Sequence, residues 1–234
     1  MNIFFKLFSL LLVFQTTALF SQHATISKSD IATGVIYEAN IRQYSKEGTF
    51  NAFTQDLPAL RDLGIKIIWL MPVNPISTTK SKGPLGSYYA VSDYEKVNPE
   101  FGTEEDFRDL VEKAHDLGIY IILDWVPGHT GWDHIWIKEH PEFYLKNDKG
   151  EITDPINHRT GKSWGWTDVA DLDYNNEKMQ RAMTNAMKYW IEEFDIDGFR
   201  VDQAYAVPQT FFDKTFKSLR ALSLIHISEP TRPY

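Results

Sequence analysis

The sequence predicts an α/β chain built as a (β/α)8 TIM barrel, of which it carries the first four βα units, with a small subdomain inserted after the third strand. Three observations predict this. A short β-rich run followed by a helical stripe occurs four times in series, which implies a parallel sheet, open or closed. Polar and aromatic residues gather just beyond the C-terminal ends of the strands, where barrel enzymes build their sites. No Gly-x-Gly-x-x-Gly turn follows the first strand, which argues against an open dinucleotide-binding sheet.

The elements follow in order. Gly34 to Asn40 is short, β-rich and bounded by polar sequence, and reads as the first strand. Phe53, Leu57, Leu60 and Leu63 form a helical stripe between Phe50 and Gly64. Ile65 to Leu70 is the second strand, closed by Pro72. Thr103 and Asp106 open the next helix as a capping box with Asp in place of Glu, and Phe107, Leu110, Val111, Ala114 and Leu117 share its apolar face. Ile119 to Asp124 is the third strand, apolar almost throughout, as expected of a strand covered on both faces. A helix from about Asn176 to Phe194, a strand from Gly198 to Asp202 and a helix from Pro208 to Leu219 complete the fourth unit. A closed barrel needs eight such units, so the chain is expected to be half of one.

These elements divide the chain. Residues 1–21 read as a signal peptide: Lys6, the apolar run Leu7 to Val13, and a small-residue exit at Thr16, Thr17 and Ala18. The run is too short to span a bilayer. Export to a periplasm or to the outside is therefore expected, with no membrane association after cleavage between Leu19 and Gln22. Residues 22–129 form the first part of the barrel, 130–175 the inserted subdomain and 176–221 the barrel continued. The insertion has little periodicity, but Trp132, Trp136, Phe143, Tyr144, Trp164 and Trp166 give it surface to bury. Its tryptophans are either platforms for a ligand or its own core, and core is the expectation for most. Residues 222–234, with two prolines near the end, break the βα pattern and read as a tail foreign to the fold.

Composition limits the function. With 24 basic and 32 acidic residues the net charge is −8, and the charges are interspersed, which argues against a nucleic-acid groove. The chain has no cysteine, excluding disulfides, thiol catalysis and thiolate metal sites. Seven Trp and eleven Tyr suit a neutral, hydroxyl-rich ligand whose apolar faces stack on rings.

The strand ends carry the chemistry. In Gly198-Phe-Arg-Val-Asp202, Arg200 and Asp202 lie two residues apart and project from one face of the pleat. A carboxylate beside a fixed cation stays ionised, and such a pair is either a loop-holding ion pair or an activated nucleophile. Asp124-Trp-Val-Pro-Gly-His129 ends the third strand with Asp and His five residues apart, and Gly86-Ser-Tyr-Tyr89-Ala-Val-Ser-Asp93 lies after the second. Tyr88 competes with Tyr89, and the spacing of four from Tyr89 to Asp93 favours Tyr89. If parallel strands converge at one face, Tyr89, Asp124, His129, Arg200 and Asp202 line one pocket.

Together with Ala170-Asp-Leu-Asp173 near the end of the insertion, these motifs resemble the α-amylase family of glycoside hydrolases over about Gly34 to Leu219. The resemblance implies that Asp202 is the catalytic nucleophile and that Arg200 keeps it ionised and oriented. It further implies that Asp124 supports that arginine, that His129 hydrogen-bonds a sugar hydroxyl and that Tyr89 stacks beneath the same sugar. The expected function is an exported retaining α-glucan hydrolase, or a transglycosylase of the same fold, acting on starch-type or maltooligosaccharide bonds. The alternative is a barrel of the same family that binds glycan or a partner without turnover. The family's acid/base glutamate belongs at the end of a fifth strand and a further aspartate at the end of a seventh, so the chain alone is expected to be inactive; Glu229, in the foreign tail, is not assigned the role. Many members carry an asparagine that binds a structural Ca²⁺ where this chain has Gly128, so the resemblance does not carry that ligand over, and no cofactor is expected with certainty.

Overall fold

Each predicted βα unit forms around the signals that announced it, in a computed structural model that describes residues 32–157 and 160–222. The signal segment at residues 1–21 and all of the tail but Leu222 lie outside the described residues. Strand β1 (Val35–Ala39) leads through a short helical turn into helix α1 (Phe50–Asp62), whose N-terminus is capped by Thr49 accepting from the Ala52 N–H. Strand β2 (Ile65–Leu70) follows at once, and helix α2 (Glu104–Asp116) begins with the predicted capping box, Thr103 and Asp106 each accepting from the other's backbone N–H. Gly64 and Gly118, just past the two helices, take φ of +87° and +69°, the left-handed conformation that ends a helix at little cost in glycine.

Strand β3 (Tyr120–Trp125) is buried along five of its six positions, as its unbroken apolar run requires. It starts and stops one residue later than the pattern indicated, which places Asp124 as its penultimate residue rather than its last. Between β3 and helix α3 (Glu177–Phe194), strands β4 (His129–Gly131) and β5 (Val169–Asp171) pair antiparallel. Strand β6 (Gly198–Val201) and helix α4 (Gln209–Leu219) close the fourth unit. Asp202 lies just beyond β6, and its N–H donates to the Trp125 carbonyl at 2.8 Å, so it is held to the sheet as firmly as a strand residue.

Strands β1, β2, β3 and β6 form one parallel sheet in that order. The helices cover its outer face. Phe107 of α2 meets Trp190 and Phe194 of α3 edge to face at 5.3 and 5.2 Å, and the Trp190 indole donates to the Tyr94 carbonyl at 2.6 Å. Burying side chains of this size contributes about 1.5–3 kcal/mol each, which is what locks helix to helix. Among the described residues no helix is long and apolar enough to cross a membrane.

The end of the sheet away from the strands' C-termini is pinned by a charged contact. The Asp197 carboxylate, one residue before β6, accepts from the Ile121 N–H at 2.7 Å and lies 2.9 Å from His115 Nε2 at the end of α2. Burial alone would lower the His115 pKa, and the Asp197 carboxylate overcomes it, so the imidazole titrates above its ordinary value. A folded pKa above the unfolded one, about 6.5, means the contact stabilises fully below that pH and fades as pH rises through the folded value. The urea-midpoint advantage of the wild type over His115→Gln is therefore expected to shrink between about pH 6 and pH 9; an advantage constant across that range would contradict the assignment.

Candidate active site

Strand register brings the charged groups together. Asp124 of β3 lies directly opposite Arg200 of β6, and one guanidinium nitrogen, Arg200 Nη1, donates to Asp124 Oδ1 and to Asp202 Oδ1, both at 2.9 Å. The guanidinium carbon lies 4.7 Å from the centre of the Trp69 ring on β2, a cation–π contact that gives the charge a floor. The second Asp124 oxygen accepts from the Tyr89 hydroxyl at 3.1 Å. Asp124 and Asp202 differ in exposure. The Asp124 side chain is fully buried while that of Asp202 is 14% exposed. Burial pushes the Asp124 carboxyl up to about 7 against the pull of Arg200, with Asp202 pushing the same way. One cation therefore serves two carboxylates, and the buried one bears the desolvation cost while the other faces the cleft. Burial, then the Asp124 charge, hold the Tyr89 hydroxyl above its ordinary range, so it remains a donor.

His129 reaches the site by a different route. It opens β4, where its register partner is Asp171 of β5, so the Ala170-Asp-Leu-Asp173 stretch supplies the strand against which His129 is set. The residue is 7% exposed, and burial pulls its pKa down to about 4, with a hydrogen bond to the Tyr89 backbone opposing. It is neutral at neutral pH and offers a hydrogen bond without charge. The turn before it is fixed by the fully buried Tyr94, whose hydroxyl sits 2.7 Å from the Val126 carbonyl and 2.9 Å from that of His129. Gly131 ends β4 where a Cβ would lie 2.2 Å from Ser77 Cβ, so only glycine lets the loop after β2, which carries Tyr89, approach this closely. Asp133 holds the same loop by accepting from the Thr78 and Thr79 N–H groups.

Tyr89, His129 and Asp202 line a cleft of about 380 Å³. Asp124 and Arg200 lie behind Asp202 rather than on the cleft wall, so of the five residues singled out by spacing, three face the cleft and two support them. The cleft is also lined by residues that spacing did not single out as a group: Lys82, Trp166, Asp168 and Gln203. Gln203, immediately after Asp202, takes φ of +50°, a strained conformation for a non-glycine residue of the kind that gathers at functional sites. The tryptophans of the insertion divide. Trp136 packs against the core beside Tyr94 and Phe143, and Trp132 also lies against the core with its indole donating to the Thr167 carbonyl. Trp164 and Trp166 do not join them, so core describes two of the four.

Gly128 contributes no side-chain ligand at the position where the resemblance points to a calcium-binding asparagine. A Cβ there would meet nothing within 4 Å, so the position has room for a side chain and supplies none, and its carbonyl already accepts from the Leu172 N–H at 3.2 Å. Among the described residues no group of three or more His, Cys, Asp or Glu side chains is placed to hold a metal ion.

Known proteins are similar to this chain in sequence and fold. A family model described as the α-amylase catalytic domain matches residues 26–221. The chain is 39% identical to a noncanonic maltogenic α-amylase from Thermotoga neapolitana, with a TM-score of 0.77 over 86% of this chain and 46% of that one. It is 37% identical to an α-amylase from Lactobacillus plantarum, with a TM-score of 0.77 over 83% of this chain and 44% of that one. Maltase A1 of Drosophila melanogaster is 30% identical over 208 residues, 75% of this chain and 34% of the maltase. The chain thus spans about a third of that curated relative and under half of the two solved chains. Its four-stranded sheet is part of a (β/α)8 barrel.

The Tyr94 hydroxyl tests how the His129 turn is held. Tyr94→Phe removes the single hydroxyl proton that lies between two carbonyls, and a loss of about 1–3 kcal/mol is expected from urea unfolding. A change below about 0.5 kcal/mol would mean that the turn does not depend on it.

Proposed function

Since the chain belongs to the α-amylase family of glycoside hydrolases, we propose that the full-length protein is an exported retaining hydrolase of α-glucosidic bonds in starch-type or maltooligosaccharide substrates. The observation that carries this reading is Arg200 Nη1 donating at 2.9 Å to both Asp124 and Asp202, with Asp202 alone of the two carboxylates facing the cleft. A carboxylate fixed in this way is a nucleophile aimed at a bound sugar. Asp202 attacks the anomeric carbon as the glycosidic bond breaks, and the leaving oxygen takes a proton from an acid carboxyl on a later strand of the barrel. The glycosyl–Asp202 ester is then hydrolysed by water, which restores both carboxyls and retains the α configuration.

The neighbouring groups fit that sequence. Tyr89 offers a ring face to the sugar while its hydroxyl is tied to Asp124, which fixes the ring's tilt. His129, neutral, hydrogen-bonds a hydroxyl of the same sugar without competing for the charge on Asp202. The names of the relatives, a maltase and two α-amylases, support α-linked glucose as the substrate class. Export rests on the signal features of residues 1–21. A mature N-terminus near Gln22 in secreted or periplasmic protein is expected, and an intact Met1 on the active enzyme would refute export.

Hydrolysis of soluble starch by the full-length protein and by its Asp202→Asn variant tests the mechanism. The variant is expected to lose on the order of 10³-fold or more in kcat, as enzymes do when a catalytic nucleophile is removed. Equal rates would overturn the nucleophile, and no turnover by either would favour the binding-only barrel. Residues 1–234 by themselves are expected to show no turnover, since general acid assistance alone is worth about 10² to 10⁴ in rate.

A further inference from the structure

Trp69 stands on the face of the sheet that carries the charged groups. In β2 it lies across the ladder from Ile122 of β3, two residues before Asp124, and Ile122 lies across from Gly198 of β6, two residues before Arg200. Residues two apart share a face of the pleat, so Trp69, Asp124 and Arg200 project from the same side of the sheet. The alternate positions, Ile68, Leu70, Leu123 and Phe199, belong to the apolar core beneath the helices, and Trp69 does not. Its ring centre lies instead 4.7 Å from the guanidinium carbon of Arg200.

The indole is placed by its face and not by its N–H. Three other tryptophans that pack in or against the core set their N–H groups on an acceptor: Trp190 on the Tyr94 carbonyl, Trp132 on the Thr167 carbonyl, and Trp125 on the Met183 sulfur at 3.3 Å. The Trp69 N–H is buried and has no hydrogen-bond partner among the described residues. Buried indole N–H groups usually find a partner, and going without one carries a desolvation cost. A tryptophan that only filled space is expected to turn so as to avoid that cost; this one lies where its electron-rich face meets a cation, a role for which indole is the best of the aromatic rings. Arg200 meets Asp124 and Asp202 through one nitrogen, at 2.9 Å each. Two bonds through a single nitrogen fix that atom, and a ring against the guanidinium fixes its plane.

We propose that Trp69 is a positioning residue for the nucleophile: its ring face sets the plane of the Arg200 guanidinium, and the guanidinium in that plane holds the Asp202 carboxylate at its angle of attack. The residues that line the cleft with Asp202 do not include Trp69, so its effect reaches the substrate through Arg200. Alignment of the attacking oxygen matters as the new bond forms and little while the sugar merely binds, so Trp69 acts on kcat and leaves KM alone. This inference rests on the reading of Asp202 as nucleophile and identifies what keeps the charge behind it in place.

The test changes the electrons of the ring and keeps its shape. Tryptophans carrying one, two and four fluorine atoms are placed at position 69 of the full-length protein, and kcat and KM are measured on soluble starch. Fluorine draws charge from the ring face and makes the N–H a stronger donor, so a role through the face and a role through the N–H predict opposite trends. Along the series kcat is expected to fall stepwise, by about tenfold at its end, with KM unchanged. A kcat that stays level or rises would overturn the proposal, as would a loss carried by KM. Trp69→Phe, which keeps a ring, is expected to retain more of kcat than Trp69→Leu, and the reverse order would also count against it. Starch turnover by Asp202→Asn separates this inference from the reading beneath it. A level series beside an Asp202→Asn variant that has lost its turnover overturns the role of Trp69 alone, and equal rates with and without the Asp202 carboxylate overturn the nucleophile and the role of Trp69 with it.

Discussion

Everything at this site depends on one guanidinium nitrogen serving two carboxylates. Arg200 Nη1 is 2.9 Å from Asp124 and 2.9 Å from Asp202; the second contact lies within one strand end, and the first does not survive a shift of strand register, because Asp124 and Arg200 are direct partners across β3 and β6. A slip of β6 by one residue would turn Arg200 to the other face of the sheet, away from Asp124. The register is in turn held by burial along β3 and by Asp197 gripping the Ile121 N–H at the far end. The apolar core thus acts on the chemistry through geometry: it fixes the spacing of strands, and the spacing fixes who shares the charge.

A shared cation also sorts the two acids. Asp124 is fully enclosed, receives a second hydrogen bond from Tyr89 and is pushed upward by its burial. Asp202 has the open side. An acid that is deep and doubly bonded is a poor nucleophile and a good brace, and one at the rim of a cleft is the reverse. The same residue type meets two environments because the fold places one copy behind the other.

The barrel units and the five strand-end residues were legible in the sequence because each follows from a local signal. Gly64 and Gly118 mark helix ends, Thr103 with Asp106 marks a helix start, and the apolar run from Ile119 marks a strand covered on both faces. Asp124, His129, Arg200 and Asp202 stand at fixed offsets from strand ends, so knowing the strands was enough to gather them. The rest of the cleft lining was not legible. Lys82 meets Gly165 and Asp168 across more than eighty residues of chain, between two loops without periodicity, and no local pattern encodes that meeting. Tryptophan content alone fits a core as well as a cleft wall, and Trp136 and Trp166 show that both outcomes occur within one insertion. The one-residue offset of β3 has a similar origin: Ile119 is as apolar as its neighbours, and the ladder with β2, which begins at Tyr120, decides where pairing starts.

The short ribbon of β4 and β5 has a wider consequence. His129 pairs with Asp171 and Gly131 with Val169, so the two ends of the inserted segment are zipped together right beside the site. The chain between residues 132 and 168 is therefore a closed excursion, and the entropy of closing such a loop grows only slowly with its length. Segments of different size and sequence can be mounted on that ribbon without moving the histidine at its root. The excursion and the strand ends are then separate heritable parts, and a lineage is free to redraw the one while the other keeps its place.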